Sequence, residues 1–167
     1  ATPSKDVKGG DENVVLATIS LTSNGENATV NDITDTSGSD GDFYIQGTGL
    51  TITEADNFEL RDVDSGVLYD ITETVSTTLA GWTLAMADEI SLTAGVTKTF
   101  ELRVDLAGAN DSTPIDDGDT LKVYLEDGAM NITGDESDAT ITDITPSSVS
   151  GATATVRDGS LNVTTIA

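Results

Sequence analysis

The sequence contains no cysteine and no histidine. Their absence removes disulfides, thiol chemistry, the commonest transition-metal ligands and the usual acid–base residue near neutral pH. Aromatic residues are only 4% of the chain, too few to suggest a broad stacking platform for sugars. Cations are scarce too: seven Lys and Arg stand against thirty Asp and Glu, a formal charge of −23. Such a chain repels nucleic-acid phosphates and anionic membrane surfaces, so neither is expected as a partner. No run is apolar enough to span a bilayer, and no signal peptide is visible. Ala1 in place of an initiator Met points to a processed mature protein or a segment of something longer.

What is present is a pattern of short alternating runs, which distinguishes the chain from a disordered acidic polymer. At 167 residues one domain with a real core is expected. Val15, Ala17, Ile19 and Leu21 alternate with Leu16, Thr18 and Ser20, and Phe100, Leu102, Val104 and Leu106 alternate with Glu101, Arg103 and Asp105. Leu121, Val123 and Leu125 repeat the pattern, and so do Val67, Tyr69 and Ile71. Period two is the signature of half-buried strands. Further strands are expected in 58–63, 82–86, 89–92, 139–144, 153–156 and 161–166, about ten in all. Only 52–58 (ITEADNF) looks able to form a helical turn.

Turn chemistry separates these runs at Ser23-Asn24-Gly25, Asp64-Ser65-Gly66, Ala94-Gly95, Asp116-Asp117-Gly118, Asp127-Gly128 and Asp158-Gly159. Glycine supplies positive φ, and Asp or Asn supplies side-chain turns. Twenty-seven threonines suit the solvent faces of strands. The fold expected is an all-β, immunoglobulin-like β-sandwich with Greek-key connections. Its core is expected over 13–144, with an N-terminal linker or assembly segment over 1–12 and a C-terminal linker and strand over 145–167.

The two ends share a motif: Thr2-Pro3-Ser4 precedes Val7-Lys8-Gly9, and Thr145-Pro146-Ser147 precedes Val149-Ser150-Gly151. The final run carries Leu161, Val163 and Ile166 without a polar tail, as expected of a strand donated to, or continuous with, a following module. Together with Asn13-Val14-Val15-Leu16-Ala17, the segment 92–100 (LTAGVTKTF) feeding Arg103-Val104-Asp105-Leu106, and Gly151-Ala152-Thr153-Ala154-Thr155-Val156, these residues resemble the tandem sandwich modules of large secreted prokaryotic surface proteins, S-layer-like or fibrous. The resemblance implies an extracellular module repeated end to end, with an assembly or adhesion role. It supplies no catalytic residues.

Three kinds of candidate site remain. Acidic residues gather in expected loops, above all Asp111, Asp116, Asp117 and Asp119 beside Asn110, with Asp40 and Asp42 and then Asp62 and Asp64 forming smaller groups. Calcium takes six to eight oxygen ligands from such loops. The run lacks the spacing of an EF-hand, however, and general acidity suited to a saline habitat accounts for it equally well. Asn27 and Asn131, with Asn110 and Asn162, begin glycosylation sequons. Trp82 alternates with Leu84 and Met86 and reads as core, whereas Phe43 and Tyr44 are the better exposed aromatic candidates. No two carboxylates are singled out as a catalytic pair. The expectation is a non-enzymatic building block whose partners are copies of itself, with a carbohydrate-binding or adhesive module as the alternative.

Overall fold

The structure is a computed structural model that describes residues 5–34, 43–50, 53–75 and 81–157. Fourteen strands follow one another among the described residues: β1 (Lys5–Val7), β2 (Val14–Thr22), β3 (Ala28–Ile33), β4 (Phe43–Thr48), β5 (Ala55–Asp62), β6 (Leu68–Asp70), β7 (Thr72–Val75), β8 (Gly81–Ala85), β9 (Ile90–Leu92), β10 (Thr97–Leu106), β11 (Thr120–Glu126), β12 (Met130–Gly134), β13 (Ser148–Ser150) and β14 (Ala154–Val156). Among the described residues there is no α-helix, only a 3-10 turn at Asp127–Ala129.

The strands form three sheets. Seven build the largest, in the order β1-β14-β11-β4-β8-β7, with β13 continuing the line of β14 along β11. The second runs β2-β10-β5-β6 and the third β12-β3-β9. Among the described residues every strand pairing is antiparallel except one: β1 lies parallel to β14, with Lys5 beside Ala154 and Val7 beside Val156. The segment expected as an N-terminal linker or assembly segment contributes β1 to the main sheet, and the one expected as a C-terminal linker and strand contributes β13 and β14.

Alternation explains the core. Phe100, Leu102, Val104 and Leu106 on β10 and Leu121, Val123 and Leu125 on β11 all face inward and are buried, while the residues between them are half-exposed. Each such side chain contributes about 1.5–3 kcal/mol by leaving water. Trp82 of the large sheet meets Phe58 of the four-stranded sheet, ring centres 5.7 Å apart, so these two sheets share one apolar interior. Gly47 is required where β4 meets β11, because a Cβ there would stand 1.6 Å from the Thr120 carbonyl oxygen.

Two expectations fail for the same reason, a β-bulge. On β2 the inward set is Val14 and Leu16, then Ala17 and Ile19, because the pairing with β10 skips a residue between Arg103↔Val15 and Leu102↔Ala17. A bulge adds one residue and reverses the facing of everything beyond it. The helical turn expected over 52–58 is instead the start of β5 from Ala55 onward. There Asn57 takes a positive φ of 51° and donates from Nδ2 to Asp105 at 2.8 Å, which kinks the strand where the β10 register shifts. Residues 139–144, expected as a strand, make only a single bridge between Thr140 and Thr133. Val67 is 48% exposed and does not join the core, although Ile71 does.

Candidate functional site

The acidic loops prove to be built around backbone amides. Asp111 Oδ2 accepts from the Gly108 amide at 2.6 Å, closing the turn 108–111, and Asp119 Oδ2 accepts from the Asp116 amide at 2.9 Å, closing 116–119. Asp119 is buried over Gly49, whereas Asp116 and Asp117 are exposed. The four therefore divide between two turns. Among the described residues no group of three or more acidic side chains is placed to hold a metal ion. Asp62 behaves alike: it is buried and its Oδ1 accepts from the amides of Asp64 and Ser65 at 2.9 and 3.1 Å. Burial pushes its carboxyl up, but the Ser65 amide and hydroxyl, the Asp64 amide and Lys98 outweigh that and hold it below the usual range. Asp40 and Asp42 lie outside the described residues.

Both leading sequons are exposed. Asn27 uses its Oδ1 to accept from the Ala94 amide at 2.9 Å, while Asn131 commits its Nδ2, the glycan-bearing atom, to Asp32 at 3.1 Å. Asn110 is exposed, and Asn162 lies outside the described residues. Of the aromatic candidates, Trp82 and Phe43 are buried. Tyr44 instead stacks on Tyr124 across the β4–β11 pair, centroids 4.8 Å apart and nearly parallel, with Lys122 Nζ 4.9 Å from the Tyr124 ring. The partner Tyr124 is legible in sequence only as an outward residue of its strand.

The ends of the strands define two unlike poles. At one, Val156 is held by the turn 116–119: its carbonyl accepts from the Gly118 amide and its amide donates to the Asp119 carbonyl. The chain leaves β14 here. The other pole gathers the turns 23–27, 93–96 and 134–138, with 62–67 beside them at the end of β5, whereas 127–129 lies at the opposite end of β12 from 134–138. Gly95 donates to the Ser23 carbonyl and Asp135 to that of Asn27. Glu26 locks two of these turns together, accepting from the Ser137 hydroxyl at 2.7 Å and the Glu136 and Ser137 amides at 2.8 and 2.9 Å. Those bonds, the Ser137 hydroxyl first, hold its carboxyl below the ordinary Glu range.

The second pole also carries the apolar surface. The exposed large apolar side chains among the described residues are Val63, Val67, Leu68, Val96 and Val149; the first four sit at or beside this pole, and Val149 stands opposite Leu125 near the end of β11. Val63 is fixed there through its amide, which donates to the Thr99 carbonyl. Leu161, Val163 and Ile166, the expected assembly residues, lie outside the described residues. Among the described residues no helix is long and apolar enough to cross a membrane. Comparison with protein-family models, with curated proteins and with solved structures finds no match to this chain.

Proposed function

We propose that the chain is a structural module of an extracellular surface layer or filament of a prokaryote, an immunoglobulin-like β-sandwich that assembles head to tail with copies of itself. The observation that carries this reading is polar asymmetry: exposed apolar residues collect at the pole opposite the one where the chain leaves β14. Exposed apolar patches mark contact surfaces. The parallel β1–β14 pair adds direction, because the chain runs along both strands toward the same pole. Successive modules joined through such ends point the same way. Replacing Val67 and Val96 together by Glu tests the reading. Particle growth by light scattering should fall sharply while the unfolding midpoint stays near that of the parent protein; unchanged growth would refute it.

A carbohydrate-binding role is the second reading, favoured by the Tyr44–Tyr124 stack with Lys122 beside it on the outer face of the large sheet. Aromatic faces bind the apolar faces of sugars. Loss of glycan-array binding in Tyr124→Ala, with stability preserved, would support it. An array with no ligand for the parent protein would dispose of it.

A further inference from the structure

A trough opens at the apolar pole between the outer edge of β2 and the segment 142–146. Among the described residues β2 pairs with β10 alone, on one side. On its other side Lys5 donates to the Val15 carbonyl and Gly151 packs against Leu16 and Ala17, so cover ends at Ala17 and the edge 18–22 faces the trough. Two adjoining hollows of 560 and 130 Å³ share Leu21, Met130 and Ile144 along that edge. Ile19, Leu125 and Val149 complete the apolar lining. The opposite wall is loosely tied: after Ile141 donates to the Ile132 carbonyl, the next backbone hydrogen bond among the described residues joins Asp127 to Ser147. An unpaired strand edge beside an apolar trough is the geometry that accepts an added strand.

We propose that this trough receives an extended strand from a second copy of the chain, and that residues 161–166 are that strand. The proposal rests on the head-to-tail reading above and names its contact. Three observations select the occupant. First, β14 is flanked by β1 and β11, so a strand that returned along it would find both sides of β14 taken. Second, Val156 stands level with Asp119, whereas the trough begins level with Leu125. That is roughly 20 Å along β11 at about 3.3 Å per residue. A same-chain route would spend residues 157–162 on that span, while a copy stacked end-on presents its trough to the departing chain. Third, 161–167 carries no charge in a chain of net charge −23, which suits it to a site whose neighbours are acidic.

Register follows from alternation. Ile19 and Leu21 face inward on β2, while Ser20 and Thr22 bond to Thr99 and Thr97 on the outer face. A strand added alongside turns Leu161 and Val163 into the trough and Asn162 and Thr164 outward beside Ser20. Ile166 falls on the outward face of an unbroken strand.

The absence of native cysteine makes the test clean. Full-length Ser20→Cys and Thr164→Cys proteins, each carrying one thiol, are mixed under assembling conditions and oxidised. Only contact between copies can then give a heterodimer on a non-reducing gel. Paired strands hold the two thiols at millimolar effective concentration, so at about 0.1 mM protein the yield should exceed by about tenfold that of a Glu73→Cys and Thr164→Cys mixture. Asn162→Cys should behave like Thr164→Cys, and Val163→Cys should not. Yields equal to the Glu73 control while the parent protein still assembles by light scattering would overturn the acceptor site and leave the head-to-tail reading standing. A parent that does not assemble removes both. A Ser20→Cys/Thr164→Cys double variant that closes only within the monomer would assign the strand to its own chain and overturn the proposal.

Discussion

Asp62 offers the sharpest test of how this acidic chain uses its carboxylates. Replacing it by Ala removes the acceptor for the Asp64 and Ser65 amides and the partner of Lys98. Hydrogen bonds to a charged group contribute about 1.5–3 kcal/mol each, but residues 64 and 65 are exposed and their amides regain water. Lys98 is 32% exposed, which limits that pair to about 1 kcal/mol or less. Asp62→Ala should therefore cost about 2–3 kcal/mol, and Asp62→Asn, which keeps an acceptor oxygen, about 1 kcal/mol. The carboxyl is depressed in the fold, so its ionic contribution is complete above the unfolded value of about 3.9 and is lost as pH falls through the folded one. The gap between parent and Asp62→Asn should thus be steady near pH 6 and close below about pH 4. Urea unfolding followed by the fluorescence of Trp82, the single tryptophan and 1% exposed, measures both quantities without adding salt. An Asp62→Ala protein within about 0.5 kcal/mol of the parent, or a gap that ignores pH, would refute the reasoning.

Trp82→Ala, by emptying the contact with Phe58, should destabilise by about 3–5 kcal/mol in urea unfolding followed by circular dichroism; a small change would mean that the two sheets do not depend on that contact. Glu26→Ala should speed hydrogen exchange at the amides of Glu136 and Ser137, which donate to it. Because this carboxyl is held low, the parent should lose the same protection only as pH falls through its depressed value, and protection that survives the substitution would count against the lock. Calcium should raise the unfolding midpoint no more than magnesium at equal ionic strength, since the acidic turns close on their own amides. A calcium-specific shift would show a convergent site after all.

Strand period was legible on strands that carry no extra residue of their own, as on β10 and β11, where four and three inward residues in sequence are the buried ones. It was misleading at bulges. The doublet Leu16–Ala17 is buried because β10 leaves a residue unpaired there, and nothing within β2 itself signals its partner's register. The acidic turns were legible as turns, but sequence cannot show that Asp111 and Asp119 each give one carboxylate oxygen to an amide three residues away, nor that the four candidates divide between two turns. The Tyr44–Tyr124 stack and the apolar pole were not legible at all. Each joins residues from strands or turns far apart in the chain, and only the sheet order brings them together.

The charge of the chain bears directly on how its poles could meet. The exit pole carries Asp111, Asp116 and Asp117, and the apolar pole carries Glu26, Asp135 and Glu136, so end-on contact brings like charges together. At 0.01 M ionic strength that repulsion reaches about 30 Å, but at 1 M only about 3 Å. Burying Leu161 and Val163 would supply about 1.5–3 kcal/mol apiece, less the cost of ordering the strand. A contact that small cannot hold acidic poles together unscreened, yet it suffices once salt or divalent cations shorten the repulsion. On the assembly proposal acidity sets the conditions: the free module should stay dispersed in dilute solution and join where ions are plentiful. Assembly that proceeds equally at both ionic strengths would separate the charge from the contact, and the apolar pole alone would then have to account for it.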